Sequence, residues 1–147
     1  MDKNFIYWGL FLEDTERKKL ISFLKEKYDI LKDRDINNIY LDHCTLFFKT
    51  DYKENKGIYK ILKREFESNF LKNYKYPIKI TKIGWSDKAC AFGCEVSLPC
   101  VNKQPHITIC TFNNSKPFES NNIVHWEEFE PFFVVGTLDK EVFKQIL

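Results

Sequence analysis

The sequence predicts one α+β domain, with two pseudo-symmetric halves around a central cleft. Three observations predict it. Strand-like and helix-like stretches alternate at first, and then strands cluster. The length, 147 residues, fits one domain covering residues 1–147. Each half also carries one His-x-Thr tripeptide, His43-Cys44-Thr45 and His106-Ile107-Thr108.

The elements follow in order. Phe5–Leu12 is apolar throughout and reads as a strand covered on both faces. Glu13-Asp14-Thr15 offers caps and negative charge for a helix start, and Leu20, Ile21, Phe23, Leu24 and Tyr28 then recur at helical spacing. Asp29–Asn38 is polar and reads as a loop before a first motif strand at Ile39–Lys49. Asp51–Gly57 is a charged loop. A second helix follows with a stripe of Ile58, Ile61, Leu62, Phe66 and Phe70, ended by Asn73–Pro77. Ile78–Trp85 and Lys88–Leu98 read as strands joined at Ser86-Asp87, the second burying the face of Cys90, Phe92, Cys94, Val96 and Leu98. After the loop Pro99–Gln104 comes the second motif strand, Pro105–Phe112, and then a polar loop, Asn113–Asn122. His125–Glu130 is acidic, Phe132–Leu138 is a last apolar strand, and Asp139–Leu147 suits a short helix.

Composition narrows the function. The chain is 44% hydrophobic and 16% aromatic, enough to bury a core. Its net charge of +2 is low for a protein that coats long nucleic acids, but it suits a small or end-specific substrate that presents few phosphates. Phe5–Leu12 is too short to span a bilayer and lacks the small-residue cleavage pattern of a signal peptide. No membrane partner is expected, and the expected location is the cytoplasm or nucleus. Five cysteines, an odd count with no Cys-x-x-Cys, are expected to be reduced, buried thiols. Cys90, Cys94, Cys100 and a histidine fit no familiar zinc spacing, so neither metal nor cofactor is expected.

The two tripeptides carry the chemistry. Side chains on a strand alternate faces, so each histidine points the same way as its threonine, while Cys44, Leu46, Ile107 and Ile109 point the other way. Two such strands side by side would offer two imidazoles and two hydroxyls to one cleft. Histidine titrates near neutral pH, so a neutral copy can take a proton from water and a protonated copy can give one to a leaving alkoxide. A threonine hydroxyl can donate to a phosphate oxygen as charge builds there. The catalytic candidates are therefore His43 and His106, and the phosphate-binding candidates are Thr45 and Thr108. His125, beside Trp126 and Glu127, reads as exposed. A histidine-triad hydrolase would need further histidines on the same strand face, and Thr108 and Cys110 stand there instead. No Gly-rich phosphate loop is present. Cys44 adjoins His43 but faces away from it, which argues against a thiol nucleophile.

The pair His43-Cys44-Thr45-Leu46 and His106-Ile107-Thr108-Ile109 resembles the 2H phosphoesterase superfamily. Tyr7-Trp8-Gly9-Leu10, Pro105–Ile109 and Lys116-Pro117-Phe118-Glu119-Ser120-Asn121 further resemble the cyclic phosphodiesterase domain of fungal-type tRNA ligases. The ligase and kinase domains of those proteins are absent from this sequence, so a different substrate, or work beside separate ligase or kinase proteins, is open. The resemblance implies a bilobal 2H-phosphoesterase-like fold of two sheet lobes with flanking helices. It also implies metal-independent opening of a 2′,3′-cyclic phosphate, at an RNA end or on a small nucleotide, to a 2′-phosphate. Superfamily relatives act on 2′,5′-oligoadenylate or ADP-ribose cyclic phosphate, and a non-catalytic RNA-end or nucleotide-binding module is a further alternative. A third is an interaction domain whose histidines are structural. Base stacking requires an aromatic at the cleft edge, for which Tyr7, Trp85 and Phe92 are candidates. Lys103 is a candidate phosphate contact or a solvated lysine. A monomer is expected.

Overall fold

The structure, a computed structural model, describes residues 1–29 and 39–143, except for the side chain of Phe70. Among the described residues six strands are formed: β1 (Phe5–Phe11), β2 (His43–Phe48), β3 (Tyr76–Trp85), β4 (Ala89–Val96), β5 (His106–Thr111) and β6 (His125–Val142). They pair antiparallel in a closed ring, β1-β2-β5-β4-β3-β6. Helices α1 (Asp14–Lys27) and α2 (Lys56–Asn69) accompany the barrel. The mixed α and β content is as expected. The two separate sheets implied by the resemblance are instead one ring. Its thinnest seam joins the two motif strands, where Cys44 opposite Ile107 is the one paired position between β2 and β5. Among the described residues, no helix is long and apolar enough to cross a membrane.

The core lies inside the ring and under the helices. Trp8, Leu10, Leu46, Phe47, Phe92 and Ile107 are fully buried there, with Leu20 and Leu24 of α1 and Leu62 of α2. Helix α1 carries Asp14 and Glu16 in its first turn and Lys25 and Lys27 in its last, which suits the helix dipole at both ends. Glu16 fastens α1 to β6, because its carboxylate accepts the Val135 amide at 2.9 Å while also pairing with Lys19 at 2.8 Å. In α2 the inward stripe is Tyr59 and Leu62, with Ile58 and Phe66 beside them. Ile61, expected on that stripe, is about half exposed at 48%.

Other expectations need correction. The first motif strand begins at His43 and not at Ile39, because Leu41 has a left-handed φ of 52° that breaks the extended run. In β4 both faces are buried, not one. Phe92 and Cys94 point into the main core, while Ala89 and Ala91 pack under Ile123 and Trp126. The acidic stretch from His125 and the apolar run after it are a single 18-residue strand. It pairs with β3 from His125 to Gly136 and with β1 from Thr137 to Val142. Asp139–Val142 is therefore strand and not helix, held opposite Gly9, Trp8, Tyr7 and Phe5. Residues 144–147 of that expected helix lie outside the described residues, as does the expected loop beyond Asp29.

Candidate active site

The seam between β2 and β5 places the motifs. With Cys44 opposite Ile107 and both turned to the core, the residues flanking each turn to the other side. His43, Thr45, His106 and Thr108 all line one cleft of about 410 Å³. The approach to β2 is pinned from α1. Arg17 donates to the carbonyls of Tyr40 (3.1 Å) and Ile39 (2.8 Å), and the Leu41 amide donates to the Thr108 carbonyl at 2.9 Å. The left-handed turn at Leu41 thus sits between two anchors, just ahead of His43. Such a conformation persists only where its surroundings hold it.

The two imidazoles are held differently. His106 is bonded through Nδ1 to the Gln104 carbonyl at 2.9 Å. A carbonyl only accepts, so Nδ1 carries the proton and Nε2 is left for the cleft. His43 is held by rings: Tyr7 stacks on it at 4.9 Å and 24°, and Phe11 lies at 5.3 Å. Tyr7 and Phe11 stand on the same face of β1 with Gly9 between them. A Cβ on Gly9 would meet the Cys44 carbonyl at 3.1 Å and the Tyr7 ring at 3.4 Å, so glycine leaves the room in which this cluster closes on His43.

Burial dominates the electrostatics. It lowers the pKa of His43 to about 4, helped by repulsion from His106. It lowers His106 as well, against the Gln104 carbonyl, which favours the charged ring. Burial also pushes Tyr7 up to about 12, with Glu141 and Asp42 adding to it, and raises the Asp42 carboxyl against the pull of Arg17. In the free protein both imidazoles are therefore neutral at neutral pH.

Of the other candidates, Tyr7 stands on the cleft wall. Phe92 does not: it is fully buried, packed against Phe23 and Phe129. Trp85 lies outside the cleft with its ring against that of the exposed His125 at 4.5 Å. Lys103 faces a separate depression beside Thr81, Lys82 and Glu95. Asp42, Phe48 and Asn102, which no sequence motif singles out, also line the cleft. The 3-10 segment Pro117–Asn122, polar in sequence like a loop, brings Phe118 and Asn121 to the wall. The local signal for that segment is the stretch Lys116–Asn121, which carries part of the family resemblance. Phe118 is 60% exposed and Phe48 38%, so each offers an open ring face.

The cysteines are thiols, with Cys44, Cys90, Cys94 and Cys110 buried. Cys44 lies 3.9 Å from Cys94 on the core side, and that contact together with burial raises its pKa well above the ordinary thiol value, which leaves it a poor nucleophile. Among the described residues no group of three histidine, cysteine or carboxylate side chains is placed to hold a metal ion.

The profile of a family described as the fungal tRNA ligase phosphodiesterase domain matches residues 14–136. The chain belongs to this family. Strand β1, with Tyr7, lies just before the matched segment, yet it supplies one wall of the cleft. Among solved structures, this phosphodiesterase-domain chain is similar to one titled "Crystal Structure of Fungal RNA Kinase", with a TM-score of 0.64 at 16% identity. The likeness covers 98% of this chain and 46% of that one, so the present chain spans just under half the length of its neighbour. No curated protein matches it.

Proposed function

We propose that the protein is a 2′,3′-cyclic phosphodiesterase acting on RNA ends or small cyclic nucleotides in tRNA processing. The observation that carries this is the convergence of both histidine–threonine pairs on one cleft, in a chain of this family. The cleft sits across the seam of the barrel, with one motif strand on each side, and this arrangement supports a two-sided 2H-type site.

In the proposed reaction a neutral imidazole takes a proton from water as the oxygen attacks phosphorus. The P–O3′ bond breaks, and the departing 3′ oxygen takes a proton from the other imidazole, now charged. The product is a 2′-phosphate with a free 3′-hydroxyl. Thr45 and Thr108 donate to the non-bridging oxygens as negative charge grows. Both histidines are neutral in the free site, so the anionic substrate itself recruits the acid's proton: a phosphate between the rings favours one imidazolium. No step calls on a metal. Phe118 and Phe48 are the exposed aromatic faces on which a terminal base stacks.

The test is turnover of a panel: RNA ending in a 2′,3′-cyclic phosphate, 2′,5′-oligoadenylate, and ADP-ribose cyclic phosphate, with products separated by chromatography and their phosphate position read by phosphorus NMR. A 2′-phosphate from the first substrate is expected. Binding without turnover would mark a nucleotide-binding module, and turnover of 2′,5′-oligoadenylate alone would move the protein to another branch of the superfamily.

A further inference from the structure

The two threonines of the site are not equivalent. The Thr108 hydroxyl lies 2.8 Å from the hydroxyl of Ser120. Ser120 is 2% exposed and belongs to the Pro117–Asn122 segment, which folds over β5. A second, poorer acceptor for Thr108, the Pro117 carbonyl, stands at 3.5 Å. Thr45 differs: among the described residues its carbonyl receives Cys100 and Asn102, but no side chain meets its hydroxyl.

From this geometry we infer that Ser120 is a positioning residue that sets the direction of the Thr108 hydroxyl for the phosphate. The inference rests on the proposed phosphodiesterase reaction. A hydroxyl carries one proton. A phosphate oxygen can only accept, so Thr108 spends its proton on the substrate. The 2.8 Å bond to Ser120 must then run the other way, with Ser120 donating. Among the described residues Thr108 is the one hydrogen-bond partner of the Ser120 hydroxyl, so Ser120 has no competing use for its proton. The Ser120–Thr108–phosphate chain then runs in one sense, and each bond polarises the next. Without Ser120, the Thr108 rotor is free to turn toward the Pro117 carbonyl and away from the phosphate.

The segment is anchored for this task. Its Glu119 carboxylate lies 4.0 Å from Lys88 and accepts from Asn122 at 3.1 Å, while the Ile123 amide closes the turn on the Ser120 carbonyl at 3.3 Å. Ser120→Ala removes one oxygen from a fixed loop and leaves these contacts in place.

A double-mutant cycle tests the inference, using wild type, Ser120→Ala, Thr108→Val and the double variant on a 2′,3′-cyclic nucleotide, with thermal unfolding of each. Expected is a loss of kcat of roughly 10-fold in Ser120→Ala with KM little changed, the size of one hydrogen bond. In the Thr108→Val background the same substitution should cost nothing further, because its only route to the phosphate is gone. An equal loss in both backgrounds would mean that Ser120 acts on the fold and would overturn the inference, as would an unchanged kcat in Ser120→Ala. A wild-type protein that turns over no cyclic phosphate would bring down the reaction itself, which separates that failure from this one.

Discussion

Acidification should expose the buried His43. Its pKa in the folded protein is about 4, and burial is the first cause. The unfolded chain binds that proton near pH 6.5. Between those values the unfolded state holds more protons than the folded one, so stability is full above pH 6.5 and is lost as the pH falls toward 4. A difference of 2.5 pH units at 1.36 kcal/mol each gives about 3 kcal/mol by pH 4. Carboxylates also protonate on the way down, so the perturbation must isolate the imidazole. Urea unfolding of wild type and His43→Gln at pH 7.5 and pH 4 does this, since the carboxylates are common to both. Wild type should lose about 2–3 kcal/mol more than the variant across that interval. If both lose the same amount, the His43 ring titrates in the folded protein as it does in the open chain, and the tightness inferred from its Tyr7 and Phe11 contacts is wrong.

Four further outcomes follow from the site. His43→Ala and His106→Ala should each lower turnover by about 100-fold or more while remaining folded, as for removal of a general acid or base; near-normal rates in either would refute the two-histidine reaction. Because burial lowers both imidazoles in the free protein, kcat/KM against pH should be a bell centred below pH 6.5, with kcat displaced upward of it by the bound phosphate, and a single limb rising through pH 8.5 would point to a thiolate instead. Phe118→Ala should raise KM for a cyclic nucleotide by roughly 10- to 100-fold while leaving KM for the base-free ribose cyclic phosphate unchanged, the signature of a stacking face. Overnight dialysis against EDTA should leave the rate intact, and loss restored by added metal would contradict the metal-free chemistry.

The paired histidines were legible because strand alternation is a local property. Once His43 and Thr45 lie on an extended stretch they share a face, whatever the rest of the chain does. What local reading lacks is which face of which strand meets the cleft. Phe92 alternates as well as any residue in its stretch, but the ring closes over it. Trp85 sits at the far end of the β3–β6 ladder. Strand order is likewise set by pairing across long sequence distances, which is why two lobes were expected and one barrel is formed. The outward carboxylates of β6, including Glu128 and Glu130, hid a strand behind an acidic composition. Leu41 could not have been foreseen as the break, since leucine rarely adopts a positive φ and does so here under anchors from Arg17 and β5. Ser120 and Phe118 were within view, but a polar run with a proline reads as a loop, and only the fold shows what it leans on.

The handover along β6 also sets when this site can exist during synthesis. Strand β1 leaves the ribosome before the other five strands, yet one of its two neighbours is Thr137–Val142, the last stretch of β6, with Phe5 opposite Val142. Pairings this remote in sequence close late and slowly. Until those last residues emerge, β1 has only β2 beside it, the ring stays open, and the Tyr7 wall of the cleft is unsupported. A nascent chain halted at Gly136 would already contain both histidines and both threonines. It would lack the strand that holds Tyr7 against His43, so catalytic competence would arrive with the final six residues of β6 and not with the motifs.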